Sequence, residues 1–293
     1  MPSEPTIFTL GHSPDPDDAF MFYAMAENKI DLRGYRFEHR LEDIQTLNER
    51  ALRGELHISA ISIHAFAYVS DRYALLPCGA SMGDGYGPMI VRKRPTSNVQ
   101  RPTPNSDEES RALLRELTIA VPGLMTSAYL ALQLYLGEFK HVVVPFDQIF
   151  DAVKTGEADA GLIIHEGQLT YERAGFTKII DLGEWWKRET GLPLPLGGNV
   201  LRKDIPAPVQ RDLLAIMRES IDYGLAHRDE AVRHSMPYAR DMDAKLAGKF
   251  IGMYVNDFTR DYGEAGRKAV REFLLTAHER GYIEKKPNVE FAE

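Results

Sequence analysis

Residues 161–168 read Gly-Leu-Ile-Ile-His-Glu-Gly-Gln, an apolar run that ends in two titratable side chains. A histidine titrates near neutral pH, so His165 at the mouth of a cleft is suited to taking a proton from a substrate. Two readings stand on these residues alone: a general base, or a core strand through Ile163 and Ile164 whose following loop begins with solvated His165 and Glu166. A second cluster lies at residues 12–20, His-Ser-Pro-Asp-Pro-Asp-Asp-Ala-Phe, where Asp15, Asp17 and Asp18 fall within four positions. The regular Asp/Asn spacing and distal Glu of a calcium loop are missing. Asp17 and Asp18 are therefore read as caps or first-turn partners of the helix dipole, ahead of an Ala-Phe-Met-Phe-Tyr stretch. A third candidate is Thr126 or Ser127, either of which can cap a helix starting near Ala128. There too the choice stays open between an ordinary cap and a helix terminus that receives a carboxylate.

Other chemistries lack their residues. No second histidine follows His165 at metalloprotease spacing, and there is no nucleophile elbow, Walker A loop or dinucleotide fingerprint. The Gly-rich 83–87 precedes a strand and reads as a turn rather than a phosphate cradle. No metal and no cofactor are expected.

The elements that would position these residues show as an internal repeat. Aligning 51–64 with 153–166 places Gly54 over Gly156 and Glu55 over Glu157, and both segments run on into an apolar strand. Upstream, Ile44, Leu47, Ala51 and Leu52 have helical spacing, as do Ile149, Ala152 and Val153. The segments beginning at Thr6 and Leu117 each give a β-type run, a Gly/Pro turn and a helix pattern. Each half thus alternates strand and helix, which predicts two α/β lobes built on parallel sheets with a ligand cleft between them. In such sheets ligands bind beyond the carboxyl ends of strands. The alignment brings Ser62 and His165 off corresponding strands within one register step, able to face each other across the cleft.

Two Gly-to-Arg-Lys segments, 87–93 and 197–203, are candidate hinges. They suggest a discontinuous first lobe (1–91 and 199–293) and a second lobe (92–198), with a flexible insertion at the Pro-rich 94–111. The helical patterns after residue 206 are expected to be structural cover.

Composition narrows the partners. The 293 residues include 44% hydrophobic and 27% charged side chains, as in ordinary globular proteins. A formal net charge of -8 without a Lys/Arg stripe argues against nucleic acid or an anionic membrane and leaves a small molecule, for which the helix terminus at Thr126 and Ser127 would suit a carboxylate. Cys78 is the single cysteine, so no internal disulfide can form. The N-terminus lacks a basic n-region and no apolar run nears the ~18 residues of a membrane span, so a cytoplasmic protein is expected.

Taken together, the segments at 10–24, 41–56, 121–129, 160–171, 181–198 and 254–266, with their Trp-Trp and Ile-Ile-His-Glu runs, resemble the family of 1,4-dihydroxy-6-naphthoate synthases (MqnD enzymes) of the futalosine route to menaquinone. The similarity extends from the first strand to the C-terminal helices. It implies a fold like type II periplasmic binding proteins and a lyase that converts cyclic dehypoxanthine futalosine to 1,4-dihydroxy-6-naphthoate, releasing a three-carbon fragment. It also implies His165 as proton acceptor, and substrate contacts at Ala60, Ile61, Ser62, Ser127 and Ala128. The chain departs from the family pattern at Asp15 and Asp17, where members often carry Cys and Asn, and at Ala60, where they carry Lys. Two of these changes add negative charge and one removes positive charge beside the ligand, which puts the identity of the substrate in question. Two alternatives remain from the sequence: a non-catalytic binding protein for a small carboxylate, and a relative with chorismate dehydratase activity on the same fold.

Overall fold

The structure, a computed structural model, describes residues 5–94, 104, 106–240 and 242–293. Eleven strands are found among them: β1 (Thr6–His12), β2 (Tyr35–Leu41), β3 (Ile58–Ser62), β4 (Tyr73–Leu75), β5 (Ser81–Gly83), β6 (Met89–Lys93), β7 (Thr118–Val121), β8 (Lys140–Val143), β9 (Ala160–Ile163), β10 (Phe176–Asp181) and β11 (Leu194–Arg202). They form two sheets. The first runs β2-β1-β3-β11-β4, with β5 also on β11; the second runs β10-β6-β9-β7-β8.

The two sheets share one plan, as the repeat requires. In the first, β1 pairs in parallel with β2 and β3, and β11 joins β3 antiparallel. In the second, β7 pairs in parallel with β8 and β9, and β6 joins β9 antiparallel. The helix-Gly-strand units behind the alignment are real. The helix Ile44–Arg53 ends on Gly54 at φ 72 and the helix Ile149–Thr155 on Gly156 at φ 84, the left-handed closure that glycine adopts without a Cβ penalty. The strands that follow, β3 and β9, are buried along their whole length, which explains their nearly continuous apolar sequence.

The antiparallel strand in each sheet follows directly, in chain order, an element of the other half. The divisions expected at 91/92 and 198/199 therefore fall inside β6 and β11, and each strand enters a single sheet whole. Splitting a ladder mid-strand would leave backbone N–H and C=O groups without partners. We propose that the chain changes lobe just before Met89 and just before Leu194, the sheet memberships supporting that division. Of the expected insertion, residues 95–103 and 105 lie outside the described residues. Its end is helical: Ser106 accepts a hydrogen bond from the Glu109 N–H and caps the helix Asp107–Glu116.

The largest core cluster draws Ile61, Ile63 and Phe66 together with Leu130, Leu134 and Leu162, so the lobes share apolar packing. The Trp pair belongs to this core. Trp185 meets the edge of Tyr135 at 5.2 Å, and Trp186 meets Phe273 of the helix Gly263–Glu279 at 5.4 Å. Trp186 is 2% exposed. Trp186→Ala is expected to cost about 3–5 kcal/mol, as truncations of buried aromatics do, while Trp186→Phe retains most of the stability. Urea unfolding of the two variants beside the parent checks this.

Candidate active site

Beyond the carboxyl ends of β1, β3 and β9 lies a cleft of about 750 Å³, counting its mouth. Ala60, Ile61 and Ser62 line one wall, Thr126, Ser127 and Ala128 another, and His165 a third. All seven residues singled out from the sequence thus meet in one cavity.

The first wall is fixed by a buried asparagine. Asn48 of the helix Ile44–Arg53 accepts from the Ser62 N–H at 2.9 Å and places its own amide 3.0 Å from Ser62 Oγ. The amide also lies 3.4 Å from the Met125 carbonyl of the second lobe. Ser62 itself ends β3 without capping the next helix through its side chain.

At the second wall Thr126 is the cap: its Oγ1 accepts from the Tyr129 N–H at 3.2 Å and donates to the Gly123 carbonyl at 2.8 Å. The Ser127 hydroxyl donates to Leu196 O at 2.5 Å and accepts from the His64 N–H at 3.1 Å, so it stitches the helix to the first sheet. What this ten-residue helix offers the cleft is its backbone, because first-turn N–H groups have no intrahelical acceptor and sit at the positive end of the dipole. Asn199 on β11 also lines the cavity. Its amide donates to Gly79 O at 3.0 Å, and its buried Oδ1 has no partner.

The aspartate turn forms the opposite pole. Asp17 and Asp18 lie in the first turn of the helix Pro16–Met21, as expected, but neither is its cap. That position belongs to Asp15, whose side chain makes no capping bond. Instead Asp15 Oδ2 lies 3.3 Å from His165 Nδ1 and 2.8 Å from Ser13 Oγ. Asp18 accepts from the Ser13 N–H at 2.7 Å and lies 2.7 Å from the same hydroxyl, whose single proton serves one carboxylate at a time. Burial pushes Asp18 up to about 6 against the pull of the Ser13 hydrogen bonds. Asp17 is raised well above the usual carboxylate range by burial, then by Asp18 and Asp15.

His165 does not begin a solvated loop. Its side chain is 17% exposed and Glu166 is 16% exposed. The ring of Phe146 packs edge-on to the imidazole at 4.3 Å, and Nε2 is buried without a hydrogen-bond partner. Arg240 completes the cluster. It lies 2.8 Å from Glu166 Oε1, 3.4 Å from Asp15 Oδ1 and 4.7 Å above the Phe146 ring. Asp15, His165 and Glu166 bring donor atoms within 4.8 Å of one another, as a metal site would, but the positive charge beside both carboxylates is the Arg240 guanidinium.

The C-terminal helices are thus more than the structural cover expected of them. Phe250 and Tyr254 of the helix Ala244–Tyr254 line the cavity, and the Tyr254 hydroxyl donates to Gln168 Oε1 at 2.6 Å, across to the segment that carries His165. Sequence reasoning missed Arg240, Asn199 and Tyr254 because each lies far in the chain from the residue it faces and carries no motif of its own. The short Asp-x-Asp-Asp spacing did mark Asp15, though not its partner.

Two α/β lobes with this strand order and a cleft at the carboxyl ends of their strands define a protein of the periplasmic-binding-protein fold class. The alkanesulfonate-binding protein SsuA of Xanthomonas axonopodis pv. citri superposes with a TM-score of 0.70 over 98% of this chain and 97% of its own, at 9% identity, a likeness of fold alone. Sequence goes further. The model of a family described as menaquinone biosynthesis matches residues 8–279, and the chain belongs to that family. A 1,4-dihydroxy-6-naphthoate synthase of Thermus thermophilus is 38% identical over 95% of this chain and 96% of its own length. One from Streptomyces coelicolor is 36% identical over 94% of each. A crystal structure of an Archaeoglobus fulgidus protein aligns with a TM-score of 0.86 at 42% identity, over 97% of this chain and all of that one.

The buried carboxylates have a pH consequence. Asp18 titrates higher in the folded chain, about 6, than its ordinary 3.8, so what its protonated form contributes is fully present below pH ~4 and lost as pH rises through ~6. Asp18→Asn removes that loss. Relative to the parent, the variant should gain stability between pH 4 and pH 8 by up to about 3 kcal/mol, at 1.4 kcal/mol per unit. Urea unfolding at the two pH values measures it; a difference that stays flat with pH would contradict the assignment.

Proposed function

We infer that the chain is a 1,4-dihydroxy-6-naphthoate synthase of menaquinone biosynthesis, a carbon–carbon lyase acting on cyclic dehypoxanthine futalosine. The observation that carries this reading is identity to synthases of that name along nearly the whole chain, with His165 at the cleft and its Nε2 unpartnered.

The chemistry follows from the two poles of the cavity. A substrate carboxylate is held at the start of the helix Ser127–Leu136, where backbone N–H groups and the helix dipole favour an anion. Ala60, Ile61 and Ser62 form the wall against which the ring system lies, and the small side chain of Ala60 leaves room there. The hydroxylated, sugar-derived end faces Ser13, Asp17 and Asp18, where burial shifts both carboxyls toward protonation and so favours hydrogen bonds with uncharged oxygens over contact with a second anion. His165 Nε2 takes a proton from the substrate, the electron pair released breaks a carbon–carbon bond, and the three-carbon fragment leaves after the carbon that receives the bonding pair takes the proton back from the imidazolium. Aromatisation of the remaining ring drives the step. Burial of the site limits competing protonation from water.

No helix among the described residues is long and apolar enough to cross a membrane. We place the reaction in the cytoplasm, a reading supported by a lone buried cysteine, Cys78, that forms no disulfide.

Incubation of the purified protein with cyclic dehypoxanthine futalosine should yield the naphthoate, detected by mass spectrometry. Binding without product would instead make the chain a receptor. His165→Ala and His165→Asn are expected to lower kcat by at least about 10²–10⁴-fold, as loss of a general base does, with circular dichroism and ligand affinity nearly unchanged. Full turnover in either variant would remove His165 from the mechanism.

A further inference from the structure

We propose that Asp15 is the positioning residue of His165, holding the imidazole so that Nε2 is the nitrogen that takes the proton and stabilising the imidazolium that results. The inference rests on His165 being the base.

Three independent features point to it. Asp15 occupies the N-cap position of a helix in the extended conformation usual there, φ -114 and ψ 153, where an aspartate ordinarily accepts the N–H of the first turn. It forgoes that bond, and its carboxylate reaches across the cleft to His165 Nδ1 at 3.3 Å. The carboxylate is itself fixed: it is 4% exposed, Ser13 Oγ lies 2.8 Å from Oδ2, and Arg240 stands 3.4 Å from Oδ1. The imidazole plane is set from another side by the Phe146 ring at 4.3 Å, while Nε2 has no partner. A carboxylate on one ring nitrogen accepts its proton, leaves the lone pair on the other, and gains attraction once the ring is charged. At 3.3 Å the pair is longer than a charge-assisted hydrogen bond, and it shortens when the proton arrives.

The other charged and titratable groups around the ring do not replace Asp15. Glu166, the next residue, has an oxygen 2.8 Å from Arg240. Asp18 feels the charge of His165 but is tied to Ser13. Asp17 lies in the same turn, raised by burial, and Asp147 acts on Arg240. Of these side chains, only that of Asp15 is within ion-pair distance of an imidazole nitrogen.

The test is Asp15→Asn, with Asp15→Ser in reserve should the amide perturb folding. Two readouts are taken. In steady-state kinetics on cyclic dehypoxanthine futalosine, kcat should fall about 10–100-fold, the usual loss when a supporting partner of a reactive histidine is removed, with KM within a few-fold. The acidic limb of the kcat/KM profile should move to lower pH by about one unit, since an imidazolium without its carboxylate gives up its proton more readily. In the ¹⁵N spectrum of the ligand-free protein, with His165→Gln assigning the signal, the parent should show His165 protonated at Nδ1 and titrating higher than in the variant. An unchanged limb and an unchanged His165 titration would overturn the proposal even if kcat fell, because a merely structural role moves neither. The spectrum needs no turnover. Absence of naphthoate from the parent with the titration shift present would remove the functional reading and leave the pair standing.

Discussion

Carboxylates do not sit in a protein cleft without compensation, and three of them here, Asp15, Asp17 and Asp18, share one turn beside a histidine. Removing a charge from water costs several kcal/mol unless partners or protonation offset it. The turn uses both remedies. Ser13 gives its hydroxyl proton to Asp15 or Asp18, one at a time, and its N–H to Asp18, Arg240 supplies a full positive charge to Asp15, and burial shifts Asp17 and Asp18 toward their neutral forms. Because Arg240 comes from the C-terminal region, the local chemistry of β1 and its turn cannot be completed until the last third of the chain has packed.

The same demand ties the lobes together. Arg240 bridges Asp15 of the first half and Glu166 of the second, and Tyr254 to Gln168 repeats the connection nearby. On the other side of the cavity, Ser127 joins the second-lobe helix to His64 and Leu196, and Asn48 reaches Met125. These polar links flank a shared apolar core, so the cleft is held from two edges and from beneath.

The cavity is also polarised. One end presents helix N–H groups and an unpartnered asparagine oxygen; the other presents the carboxyls of Asp17 and Asp18, both raised by burial. Under the proposed function, the carboxylate of the substrate is assigned to the first end and its hydroxyls to the second, with His165 between them. Orientation of this kind is worth more to a base-initiated cleavage than affinity, because a proton is transferred only over hydrogen-bond distance.

Much of this was legible in the sequence. The repeat could be read because helix periodicity, a left-handed glycine and a buried strand each leave a local signature; Gly54 and Gly156 mark the same turn in both halves, and the sheets repeat one strand order. Ser62, Thr126 and His165 could be placed at strand and helix ends by the same local logic, and the likeness to the synthases supplied Ala60 and Ile61. The lobe boundaries proposed from the sheets lie a few residues before those read from the sequence, since an apolar Gly-to-Arg-Lys segment looks alike whether it connects two sheets or lies wholly within one. What the chain alone determined, then, is the pair of α/β halves and the strand ends where a ligand belongs, because these follow from interactions between residues near in sequence. Only the tertiary structure decided that Asp15 turns from its helix to His165 and that Arg240 stands between two carboxylates. Those pairings join positions 74 to 225 residues apart, and electrostatic attraction at such separations leaves no periodic trace in the chain.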